Sequence, residues 1–157
     1  MRNWRETLDF LTDCAKRNLE RDGYLAPVLL VEVEGGDSAL VGIHGFGPTV
    51  EQRAALLFAL GRQLVALRPR RATLVTDAYV KAGDELPEGS LADDPAATEC
   101  LCVCSMDRHG RLRVLTVTYD RTPTLEGTLI EFTGEHLSDE GEPFLLLAFW
   151  AGAGVRL

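Results

Sequence analysis

The sequence predicts an α+β fold: a mainly antiparallel sheet of about seven strands with two helices, in the order α-β-β-α-β-β-β-β-β. Three observations carry this. Apolar residues recur at helical spacing in two segments, each opened by a capping signature. The remaining apolar segments are short and β-rich, bounded by Gly, Pro, Asn or Asp. Every strand link but the one holding the second helix is compatible with an antiparallel connection.

In the first segment Asn3 and Glu6 form the reciprocal pattern that satisfies free amides at a helix start. Trp4, Leu8, Leu11, Ala15 and Leu19 then share one face, and Asp22-Gly23 supplies the stop, which predicts a helix over 4–21. Segments 26–34 and 38–44 read as a hairpin around Gly35-Gly36-Asp37. Gly45-Phe46-Gly47-Pro48 breaks the second strand, and Thr49 with Gln52 opens a helix over 50–67. Its run from Ala54 to Leu60 is apolar nearly all round, so this helix is expected to be buried against the sheet and a partner.

Strands follow at 72–80, 98–106, 111–119, 127–133 and 143–150, the middle pair forming a hairpin across Asp107-Arg108-His109-Gly110. The loop through Asp84, Glu85, Pro87, Glu88, Gly89, Asp93, Asp94 and Pro95 is acidic and is expected to be the mobile segment. Both helices are expected on one face of the sheet.

With 157 residues and 46% hydrophobic content, the chain fits a single domain over 1–157 without need of a disulfide or metal staple. The net charge of -8 sets up a field that repels phosphate backbones and anionic lipid, so neither nucleic acid nor a membrane is an expected partner. Arg2, Arg5, Glu6, Asp9 and Asp13 interrupt each apolar run near the start, so a secretory signal is not expected and the predicted compartment is the cytoplasm. The longest apolar stretch, 144–155, is well short of the roughly 20 residues of a membrane helix. It reads as a buried strand.

Several residue groups could carry chemistry. Cys100, Cys102 and Cys104 alternate along one strand, where neighbours of this kind lie about 6.6 to 6.8 Å apart. One tetrahedral ion cannot take all three, so they read as small hydrophobes and no metal or other cofactor is expected. If 106 pairs with 111, Arg113 falls opposite Cys104 and would lower its thiol pKa, making Cys104 the candidate reactive thiol. Gly45, Gly47 and Thr49 lie between a strand and a helix start, where amides can hold an anion, although the Lys of a phosphate loop is missing. His109 falls in a hairpin turn, and His136 among acidic residues that read as a solvated loop. Asp77 and Glu99 stand inside apolar strands, with Arg113 or Arg121 as possible partners, and they join His44 as candidate acid/base residues. Arg62, Arg68, Arg70 and Arg71 read as cations complementing the C-terminal dipole of the second helix.

Asp77-Ala78-Tyr79-Val80, Asp94-Pro95, the run from Glu99 to Val103, Asp107 to Arg111, and the segment from Arg21 to Pro27 together resemble small uncharacterised prokaryotic and phage proteins. The resemblance spans about residues 17–121 and implies a compact α+β domain without established activity; it transfers no functional residue.

Apolar residues on both sides of the predicted strands exceed what two helices can cover. The expected function is therefore a non-catalytic interaction or assembly domain that forms a homo-oligomer, with another protein as a further possible partner. The alternative is a small-ligand-binding or metal-dependent enzyme with a pocket between the second helix and the sheet, using His44, Asp77 and Glu99.

Overall fold

In the computed structural model, which describes residues 3–80 and 94–157, the fold is α+β, with one antiparallel sheet of six strands and three helices. The acidic loop expected to be mobile lies mostly outside the described residues. Helix α1 runs over Trp4–Asp22, and its capping box is formed: the Asn3 side chain accepts from the Glu6 amide at 2.9 Å, and Glu6 accepts from the Asn3 amide. Gly23 closes it in a left-handed conformation that glycine adopts without strain. Strands β1 (Val28–Val33) and β2 (Ser38–Gly42) form the expected hairpin. Helix α2 (Val50–Leu64) opens with the Thr49/Gln52 box and ends in one 3-10 turn, Val65–Leu67. Strands β3 (Pro69–Val80), β4 (Thr98–Asp107), β5 (Leu112–Thr124) and β6 (Gly127–Ser138) follow, and α3 (Phe144–Gly152) is the last element.

The strand order is β2-β1-β3-β4-β5-β6. Helices cover both faces, correcting the expectation of one. Leu8, Leu11, Ala15 and Leu19 of α1 pack on Val75, Leu101, Val103, Leu115 and Val117. On the opposite face Leu57 of α2 with Leu146, Phe149 and Trp150 of α3 packs on Leu29, Val31, Leu74, Met106 and Leu112. Strands apolar on both sides require cover on both.

The segment expected as a seventh strand is α3. A continuous apolar run has no period to separate strand from helix. Here the residues are Leu and Ala, which favour helix, and the run is apolar throughout because α3 lies between the sheet and α2. The second correction is one of register. The loop of the β4–β5 hairpin holds three residues instead of four: the Asp107 amide donates to the Arg111 carbonyl at 3.1 Å, with Gly110 at φ 83°. Met106 therefore pairs with Leu112, which leaves Cys104 opposite Val114 and Arg113 opposite Ser105.

Candidate functional site

Register decides which predicted residues meet. Leu101 and Val103 face α1, which sends Cys100, Cys102 and Cys104 to the other face. Arg113 sits on the α1 face, its guanidinium over the Trp4 ring at 5.0 Å, and it cannot activate Cys104. Burial instead pushes the Cys104 and Cys100 thiols up to about 12 and Cys102 to about 11. In the native protein at pH 7.4, Cys100, Cys102 and Cys104 are expected to react with iodoacetamide far more slowly than a free model thiol, and to label fully only in denaturant. Mass spectrometry of a labelling time course checks this; rapid native labelling of Cys104 would contradict it.

Asp77 shares the face of Val75, so it projects on the α1 side of the sheet, and Glu99, opposite Tyr79, has the same parity. Partial burial raises the Asp77 carboxyl, and the Glu99 charge adds to the rise. Glu99 is occupied structurally: both of its oxygens accept from Arg121, at 3.1 and 3.3 Å, and Arg121 also donates to the Gly23 carbonyl at 2.6 Å. The three groups clamp β4 and β5 to the end of α1. His44 is exposed in the loop after β2, on another element. The α2–sheet contact that was to hold their shared pocket is packed core around Leu57, Phe149 and Trp150. Among the described residues, no group of three or more His, Cys, Asp or Glu side chains is placed to hold a metal ion.

The loop from Gly45 to Thr49 is closed on itself. Thr49 Oγ1 accepts from the Gln52 amide at 3.1 Å, Gln52 accepts in return from the Thr49 amide, and the Gly47 carbonyl accepts from Arg53 Nε at 2.8 Å. A side chain at Gly47 would meet Gln52 Cβ at 2.9 Å, so glycine there makes room for the cap. The donors an anion would use at this helix start serve the capping box. Of the arginines read as dipole partners of α2, Arg62 lies in its last turn, whereas Arg70 and Arg71 belong to β3, and Arg71 is buried in a pair with Glu32. His136 lies in β6 opposite Thr116, not in a loop.

What the fold leaves open is the outer margin of the sheet on the α1 side. Helix α1 lies over the middle strands, and no residue of β2 belongs to the core it buries. Between its flank, at Phe10, Cys14 and Asn18, and the strand residues Val28, Leu30 and Leu40 runs a groove of about 230 Å3 whose lining, among the described residues, is apolar but for Asn18. Leu40 at its lip is 67% exposed. Strand β2 is also a sheet edge. The Ile43 amide donates to Pro27 and the Val33 amide to Asp37, so the odd-numbered residues of β2 bond inward, and alternation turns the backbone groups of Ser38, Leu40 and Gly42 outward. An apolar groove thus adjoins a row of strand donors and acceptors that, among the described residues, have no strand beside them. Sequence reading missed Phe10, Leu30 and Leu40, because an edge is defined by strand order and not by local pattern.

Among the described residues, no helix is long and apolar enough to cross a membrane. No protein-family model, curated protein or solved structure matches this chain.

Proposed function

We propose that the chain is a non-catalytic cytoplasmic assembly domain that pairs with a second copy of itself through the β2 edge and the groove beside it. The observation that carries this reading is the contiguity of the open edge with the apolar groove, because backbone pairing supplies affinity and a flanking pocket supplies specificity. A two-fold axis through Leu40 is self-complementary. It sets Ser38 against Gly42 of the second copy and stacks the two Leu40 side chains over the joined grooves.

Light scattering coupled to size exclusion at micromolar concentration is expected to give twice the 17.2 kDa chain mass. Leu40→Asp puts a carboxylate on each side of the axis and is expected to return the protein to a monomer. Phe58→Asp, on the exposed side of α2, is expected to leave the dimer intact. A monomeric parent protein would overturn assembly itself; a dimer lost with Phe58→Asp and kept with Leu40→Asp would move the interface to the α2–α3 face.

A further inference from the structure

We propose that the pole of the molecule formed by the start of β3 and the β4–β5 turn binds a small phosphate-type oxyanion between Arg70 and Arg108. The chain carries net charge -8, yet a pocket of about 140 Å3 at this pole is walled by Arg70, Arg71, Arg108, Arg111 and His109, with Asp107 and Trp4 completing it. Two of the four guanidinium groups are committed. Arg71 donates to both oxygens of buried Glu32, and Arg111 Nε donates to Asp107 Oδ2 at 2.5 Å. Asp107 Oδ1 is filled as well, accepting from the amides of His109 at 2.9 Å and Arg111 at 3.0 Å. Both carboxylates near the pocket are therefore spent.

Arg70 and Arg108 remain, without a carboxylate partner among the described residues. They are direct cross-strand neighbours, the Arg108 amide donating to the Arg70 carbonyl at 3.0 Å. Like charges opposite one another across two strands are unfavourable. An oxyanion between the two converts that repulsion into two charge-assisted contacts, which the planar guanidinium fork makes well.

The aromatic wall narrows the ligand. Trp4 already has two cations against its ring, Arg71 at 5.5 Å and Arg113 at 5.0 Å, which compete with any base that would stack there. At about 140 Å3 the pocket has room for a phosphate group. The geometry points to inorganic phosphate or the phosphate end of a small monoester.

The test is a titration followed by 15N NMR, with inorganic phosphate, glycerol 3-phosphate, and sodium chloride at matched ionic strength. Saturable shifts of the Arg108, His109 and Arg111 amides are expected with phosphate and absent with chloride. Arg70→Gln and Arg108→Gln, both at exposed positions, are each expected to weaken binding about tenfold or more, the worth of one charge-assisted contact. Tighter binding of the monoester would identify a small phosphorylated metabolite as the ligand, and equal binding would identify free phosphate. Shifts no larger than those with chloride, or undiminished in both variants while the spectra remain folded, would overturn the proposal.

Discussion

Replacing Glu32 by Gln, or Arg71 by Met, is expected to lower stability by about 3–5 kcal/mol, a large fraction of the roughly 5–15 kcal/mol that holds a domain of this kind. Glu32 on β1 and Arg71 on β3 are directly paired in the ladder and only 4% and 7% exposed. Their fork-to-fork contact is extended by the Thr7 hydroxyl, which accepts from Arg71 Nη2 at 3.2 Å, and by the Trp4 ring under the guanidinium. Each single change strands an ion in a space closed by α1. The cost is thus dominated by the unpaired charge left behind, and the pair itself contributes far less. It follows that Glu32→Leu with Arg71→Met together is expected to cost less than either single change, a coupling that urea denaturation of the four proteins measures directly. Additive single costs would mean that the interior of this end of the sheet is wet.

That pair also shows where local sequence stops being informative. Both capping boxes, the glycine-bounded β1–β2 hairpin and the four central strands follow from residues a few positions apart, because the signals are local hydrogen bonds and periodicity. Glu99 and Arg121 were legible as partners, since an ionised carboxylate in an apolar strand demands a cation. The meeting of Glu32 with Arg71, of Arg70 with Arg108, and of Leu40 with an open edge depends on strand order, which no short window encodes. One residue of turn length was enough to move Arg113 from Cys104 to Ser105 and onto the opposite face. Helix α3 was illegible for a related reason. Its amphipathic pattern is absent because it has two apolar surroundings, the sheet and α2, and the second of these is a tertiary fact.

The α2–α3 contact yields the other large effect. Gly61→Ala and Gly152→Ala are each expected to destabilise the protein by about 1–3 kcal/mol, although the same change at an open helix position stabilises by roughly 0.5–1 kcal/mol. The sign reverses because the two helices cross with their backbones in contact. A Cβ on Gly61 would lie 2.0 Å from the Phe149 carbonyl oxygen, and one on Gly152 would lie 2.0 Å from the Phe58 carbonyl oxygen. Neither obstacle is a side chain that could turn away. The helices would have to separate, and Leu57, Phe149 and Trp150, which fill the space beneath the crossing, would lose contacts that a well-packed core does not recover. In thermal unfolding each variant is expected to melt lower by about 2–4 °C per kcal/mol. The double variant is expected to lose less than the sum, since the first substitution already opens the gap that the second needs. A rise in melting temperature for either single variant would mean that the crossing is looser than the backbone contact implies. In that case the apolar character of α3 would need a different explanation from burial against α2.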